Sequence, residues 1–445
     1  DNGKEILQIV CGAPNHKAGD KVVLAQVGAK LAPDFVIKKG KIRGVESNGM
    51  LCSEEELNIG KDSDGIMILP EDTPVGVPMK EYLGINDTVF ELEITPNRPD
   101  CLSHIGIARE LGAYYNKEVK YPSFAINSES SEKTADNISV EIEDSNLAKR
   151  YVARIIKNVT VKESPKWLKE RVESIGIRSI NNIVDASNFI MMELNQPNHT
   201  FDLDKIEGGK IVVRAGHENE RLVTLDEQER ELNSDDIVIS DGVKAVALGG
   251  VMGGQNSEIT ENTKNILLEV ANFNSQNVRK TSRRLTLFSE SSYRFERRVD
   301  EENAINVINR LANIIQEVAG GEILEGAVDN YPVPYKKKTA TLNFERLNRF
   351  VGKNIPRETV IGILTRLEIE VVDTLTLTAP TYRDDLENEQ DYFEEVIRMY
   401  GFDNIENILP KLDISEKPVI DTTKLSTQVK LIAANAGLKE VINYS

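Results

Sequence analysis

Two breaks in the hydrophobic pattern constrain this 445-residue chain more than any other feature. One is the polar run 127–133 (NSESSEK); the other is 332–338 (PVPYKKK). Neither run can bury an apolar face, so the stretches on either side must each build a core of their own. The length points the same way, at about 150 residues per domain. Residues 1–95 read as short strands at 5–10, 21–27, 35–45, 66–69 and 89–94, separated by turn residues such as Gly12 to Asn15. Short strands at close spacing predict a small barrel. Residues 96–125 extend it with a helix over 102–115, where Leu102, Ile105, Ala108 and Leu111 share a face.

Residues 134–331 mix the two periods. Strands are expected at 138–142 and 151–156. Ser164 and Pro165 supply an N-cap and a first helical residue, and Gly176 a stop. A second helix is expected over 182–194, strands through 210–270 with the last at 266–268, and a long helix over 301–318 ended by Gly320 and Gly321. Residues 335–409 read as a small α/β unit, with strands near 340–342 and 371–377 and helices near 358–367 and 387–400. The remainder, 410–445, holds a helix over 422–436 and a strand from 440. The fold class is multidomain α+β: a barrel, a mixed α/β domain, then a small α/β domain. The chain has no initial Met and stops in what reads as a strand, so it is expected to be part of a longer protein.

Composition narrows the function classes. Apolar residues make up 40% and charged residues 28%, a globular balance. The net charge is −18, so a nucleic acid would have to meet local basic patches and not the overall field. Cys11, Cys52 and Cys101 lie far apart, which excludes a disulfide scaffold and a zinc ribbon and suits a reducing, cytoplasmic setting. No apolar run reaches the roughly 18 residues of a membrane span.

Five groups of residues bear on chemistry. The runs 185–188 (DASN) and 196–202 (QPNHTFD) place His199 beside a Pro-containing turn; alone, such a His is more often a capping or solvated residue than a ligand-binding one. The run 248–254 (LGGVMGG) lets backbone N–H groups approach a ligand, or makes tight turns around a bulge. It is neither a dinucleotide fingerprint nor a Walker loop. Glu269 follows the apolar run 266–268 and reads as a pocket acceptor or a strand-end charge. The basic runs 279–284 (RKTSRR) and 289–298 (SESSYRFERR) suit a phosphate backbone or a solvated helix face. Asp391, Glu394 and Glu395 stand at i, i+3 and i+4 on one helical face, with Asp385 just before it. Four oxygens suit a hard cation such as Mg2+, while acids in a first helical turn also favour the macrodipole.

The order of these motifs is more specific than any one of them. The run 41–57 (KIRGVESNGMLCSEEEL) resembles the tRNA-binding OB-fold attached to several synthetases. The run 90–106 (FELEITPNRPDCLSHIG) resembles the segment that follows it in bacterial phenylalanyl-tRNA synthetase β subunits. The runs 176–185 (GIRSINNIVD), 196–202 and 249–254 resemble that family's editing domain, and 380–386 (PTYRDDL) with 394–404 (EEVIRMYGFDN) its next small domain. The resemblance implies an OB-fold at 1–95, an editing domain at 134–331 and a small domain with an acidic metal site at 335–409. At 410–445 it implies the start of a catalytic-like domain, with part of the N-terminus and the C-terminal domains missing.

The resemblance also implies function. The family's editing pocket hydrolyses tRNA-Phe wrongly charged with tyrosine. Its β subunit binds tRNA and joins an α subunit in an α2β2 heterotetramer that ligates phenylalanine to tRNA-Phe; ATP is bound through the α subunit. This piece would itself be at most an aminoacyl-ester hydrolase. Carried onto this sequence, the catalytic group is His199, Asn188, Gly249 and Gly250, and the substrate-binding group is Arg178, Ser187, Glu269, Ser289 and Ser291. His199 would help hold the terminal adenosine and ester, Glu269 would accept the tyrosine hydroxyl, and glycine N–H groups would surround the scissile carbonyl. A site that hydrogen-bonds the hydroxyl rejects phenylalanine because its own polar group would go unpaired. Glu269 is then a discriminator and not a base, and hydrolysis rests on a positioned water and an oxyanion hole. Asp385, Asp391, Glu394 and Glu395 match the family's Mg2+ set. Three departures stand out: Ser187 for Thr, Ser291 for Ala, and Arg298 for Gly. The competing reading is a tRNA-binding and assembly module whose pocket is inactive.

Overall fold

The computed structural model describes residues 1–32, 35–60, 62–84, 87–373, 375–407 and 422–444. It falls into two units, Asp1–Glu93 and Ile94–Ser445. In the first, Lys21–Val22 pairs with Ile68–Leu69, Leu24–Gln26 with Gly49–Leu51, Lys30–Ala32 with Phe35–Val36, and Gly40–Ile42 with Val45–Ser47. Among the described residues these strands pair two by two and trace no closed barrel. Their small core is Ala25, Ile37 and Cys52. The strands expected at 5–10 and 89–94 do not form. Residues 5–10 spend a ladder position on a side chain: the Val10 N–H donates to the Ser47 hydroxyl at 3.0 Å. Residues 89–94 leave Val89, Phe90 and Leu92 exposed, so their alternation finds no face to bury.

The second unit is built around two five-stranded sheets. The first runs in the order Asn198–Asp202, Ile266–Phe273, Ala148–Lys157, Glu322–Ile323, with Val328–Asn330 also on Ala148–Lys157. The second runs Met252–Gly253, Ala245–Leu248, Ile237–Ser240, Lys210–Ala215, Ser139–Ile142, the last pair parallel. Side chains alternate across a strand, and here the alternation sorts two cores. Val152, Ile156, Leu268 and Val270 pack on the helices Asn182–Leu194 and Ala304–Ala319. Tyr151, Ala153, Ile155, Leu267 and Ala271 turn the other way, toward Val238, Val246 and Leu248 of the second sheet. The layers are therefore helices, sheet, sheet.

The central strand is longer than the apolar run that announces it. All eight residues of Ile266–Phe273 are buried, including Glu269 and Asn272. Each polar side chain is paired: Tyr151 donates to Glu269, and Asn272 donates to the Val299 carbonyl. Paired polar groups can be buried, so the strand need not stop at 268. The helix Asn182–Leu194 forms as expected, with the Asn181 side chain accepting from the Ile183 and Val184 N–H groups. Ser164 does not cap Lys166–Ser174; its hydroxyl donates to buried Asp185 instead. Gly176 does end that turn, at φ +82°.

The smaller core lies C-terminal to this. Thr339–Thr341, Thr376–Thr378 and Glu370–Val372 form an antiparallel sheet, so the strand expected over 371–377 is a hairpin. Three helices pack with it, Phe344–Val351, Arg357–Arg366 and Glu389–Tyr400, the first of them unforeseen. The helix His104–Tyr115 brackets both cores, with Ile105 in the large one and Ala113 in the small one. The helix Thr422–Asn435 follows; residues 440–444 form no strand, and 410–421 and 445 lie outside the described residues.

Arg298 explains itself here. Its φ is +74°, where glycine is at ease and other residues are strained by about 1 kcal/mol. Its largely exposed guanidinium pairs with Asp384 of the small core. An exposed pair contributes about 0–1 kcal/mol. Arg298→Gly should therefore leave stability unchanged or raise it by up to about 1 kcal/mol. A fall in the urea midpoint would show that the pair matters more than the strain.

Candidate active site between the two sheets

The cleft forms where the first sheet's inner face meets the glycine turn of the second. His199 and Glu269 are register partners on adjacent antiparallel strands, so their side chains stand side by side on that face. Ala153 lies opposite Glu269 on its other flank, and its small side chain leaves room there. Gly250, Val251, Met252, Gly253, Ser291 and Phe295 close the cleft from the other side.

Each polar group has a distinct environment. The His199 ring meets Phe201 edge to face at 4.5 Å between centroids. Burial lowers its pKa to about 4, so the imidazole is neutral at pH 7. Among the described residues its ring nitrogens bond to nothing, which leaves them for a ligand. Burial raises the Glu269 carboxyl to about 7, against a bond from the Tyr151 hydroxyl at 2.7 Å that favours the ionised form. No other charged side chain lines the cleft among the described residues. Such a site can hold a water against an ester carbonyl and accept one hydroxyl deep inside.

Four of the expected residues line this cleft together: His199, Glu269, Gly250 and Ser291. The Ser291 hydroxyl donates to the Gly250 carbonyl at 3.3 Å, so its polarity is already met. Gly249 stands apart: its N–H donates to the Ile237 carbonyl at 2.8 Å and is not free to meet an oxyanion. Gly254 is likewise spent on Val246. Gly250, at φ +73°, is the glycine of the first pair whose N–H has no partner among the described residues. Ser187 does not reach the cleft; it holds Asn198, the neighbour of His199, through a 2.7 Å bond to the amide oxygen. Ser289 caps the helix Glu290–Phe295 and donates to the Val251 carbonyl at 2.8 Å, pinning the glycine turn. Asn188 is half-buried on its helix and Arg178 is exposed in the preceding loop; neither lines the cleft. Tyr151, Phe201 and Phe295 were not singled out from the sequence. Nothing local marks them, since they read as ordinary core apolar positions.

Family models match three stretches: "Putative tRNA binding domain" at residues 1–78, "B3/4 domain" at 147–320 and "tRNA synthetase B5 domain" at 340–402. The phenylalanine--tRNA ligase beta subunit of Fusobacterium nucleatum is 53% identical over 447 residues, covering 100% of this chain. That of Geobacter metallireducens is 46% identical over 449 residues, and that of Clostridium tetani 43% over 448. The chain belongs to the phenylalanine--tRNA ligase beta-subunit family. It spans 56% of the length of these curated relatives. A solved N-terminal fragment of the phenylalanyl-tRNA synthetase beta subunit from Pyrococcus horikoshii aligns at TM-score 0.36 and 15% identity. It covers 74% of this chain and 96% of its own.

In this beta-subunit chain the acidic set of the small core does not come together as a cation site. Arg383 is fully enclosed and donates to both oxygens of Asp385 at 2.8 Å and to Glu395 at 2.9 Å. Asp391 folds back to accept the N–H groups of Glu387 and Asn388 at 2.8 and 2.7 Å, closing a capping box. Glu394 points to solvent. A guanidinium thus already holds the place between Asp385 and Glu395, and the four carboxylates do not fit magnesium as they stand. Among the described residues, potential metal ligands cluster only at Asp100, Cys101 and Glu110. Arg98 pairs with both carboxylates there, and burial pushes the Cys101 thiol up to about 12. No helix among the described residues is long and apolar enough to cross a membrane.

Proposed function

We propose that this chain hydrolyses the ester of tRNA-Phe wrongly charged with tyrosine, in the cleft that His199 and Glu269 share. The observation that carries the reading is that pair: half-buried His199 and buried Glu269 abreast on one sheet face, each with an unspent atom toward the cleft. Water would add to the tyrosyl carbonyl carbon, the bond to the ribose oxygen would break, and that oxygen would take the proton. Neutral His199 orients the ester, the Gly250 N–H meets the developing oxyanion, and Glu269 accepts the phenol. Asp1–Glu93 would bind tRNA, a reading the family match over 1–78 supports. With an α subunit that supplies ATP binding, the longer protein would ligate phenylalanine to tRNA-Phe in the cytoplasm. No step runs through magnesium, because Arg383 occupies the acidic set.

Single-turnover hydrolysis of Tyr-tRNA-Phe and Phe-tRNA-Phe tests this. The chain should release tyrosine, His199→Ala should slow release by about 100-fold, and Glu269→Gln should cut the preference for tyrosine by about tenfold or more. A folded chain that binds tRNA-Phe and releases nothing would make it a binding and assembly module.

A further inference from the structure

We propose that Tyr151 is a positioning residue for specificity: it fixes the Glu269 carboxylate so that its free oxygen meets the hydroxyl of a tyrosyl group. The inference rests on the editing reading and names a part that reading does not contain. Tyr151 has no exposed surface and sits two positions along its strand from Ala153, the register partner of Glu269. That spacing places it diagonally beside the carboxyl on the same sheet face. Its hydroxyl donates to Oε2 at 2.7 Å. Among the described residues nothing else hydrogen-bonds the carboxyl, so Oε1 is left toward the cleft.

The arrangement is a carboxylate between two phenols, one built in and one brought by the substrate. A tyrosyl ring completes the pair. A phenylalanyl ring leaves Oε1 dry and unpaired, which a buried carboxylate does not tolerate. The built-in phenol does two things for the other. It locks the carboxyl rotation, and it favours the ionised, acceptor-only form against burial. The titratable groups beside Glu269 are Tyr151 on one side and neutral His199 on the other. The opposing elements offer Ile239, Leu248, Ser291 and Phe295, none of them charged.

The test is Tyr151→Phe in this chain, which removes one oxygen and keeps the ring. Hydrolysis of Tyr-tRNA-Phe and Phe-tRNA-Phe is followed from pH 5.5 to 8.5. Binding of non-hydrolysable 3′-amide adenosine analogues of the two amino acids is measured in parallel. The tyrosine preference should fall about tenfold or more in both assays, and the pH at which it is half-developed should move up. In a Glu269→Gln background the same change should have no further effect, since the two residues act as one unit. Equal losses for both amino acids, or an unmoved pH profile, would reduce Tyr151 to packing and overturn the inference. An undiminished preference would do the same. Selective analogue binding without any hydrolysis by the parent chain would sink the editing chemistry while leaving the role of Tyr151 standing. Equal binding of both analogues by the parent would sink both.

Discussion

Gly253→Ala is expected to cut ester hydrolysis by about 100-fold or more while the chain stays folded. An added Cβ would lie 2.5 Å from Cε1 and 2.6 Å from Nε2 of His199. Neither the backbone nor the ladder objects: Gly253 has no positive φ and pairs with Ala247 in the second sheet. The conflict falls mainly on the imidazole, which Phe201 already hems in, with Leu225 Cδ1 a looser contact at 3.2 Å. The ring must swing into the cleft, where the substrate ester would sit. Overpacking of this kind costs about 1–3 kcal/mol, less than a domain's stability of about 5–15 kcal/mol. The thermal midpoint should therefore drop by a few degrees as turnover disappears. Wild-type rates in this variant would mean that the imidazole's position is not needed.

The largest loss of stability is expected from Arg383→Met. Arg383 joins Asp385 to Glu395, Arg398 joins Glu395 to Glu110, and Arg98 joins Glu110 to Asp100. The chain of charges runs from the small core into the helix that brackets both cores. Removing Arg383 strands part of a buried carboxylate pair, and breaking such a pair costs about 3–5 kcal/mol. The same variant has a pH signature. Burial pushes the Glu395 pKa up, but Arg383 and Arg398 outweigh it and hold it at about 2. A depressed carboxyl stabilises the fold above its unfolded pKa, and that contribution goes as pH falls toward the folded value. In the parent the Glu395 contribution should be complete above about pH 5 and fade as pH falls from there toward about 2. In the variant the Arg383 share of that contribution is already gone, so the stability gap between parent and variant should narrow as pH falls below about 5. Urea melts at pH 7 and pH 4 measure both effects. A variant as stable as the parent at both would mean that Arg398 alone satisfies the network.

Parts of this architecture were legible residue by residue. Helix 182–194 was legible in its span, and helix 304–319 through its apolar stripe and the two glycines behind it. The pairing of His199 with Glu269 was not legible. They stand 70 positions apart, and register between strands depends on which faces are buried, not on either segment alone. The acidic set shows the opposite failure. Its spacing places three carboxylates on one helical face, but spacing says nothing of Arg383, which the turn before the helix swings between two of them. Several element types and, through the ordered motifs, the family can be read along the chain; the break expected at 127–133 separates no cores, since Ile105, Val119 and Phe124 join the large one. Packing settles which glycine N–H groups remain free, which serines cap or clamp, and that a tyrosine from a third strand faces Glu269. Local patterns are set by neighbours along the chain; partners for buried polar groups are supplied by whichever strand lies alongside.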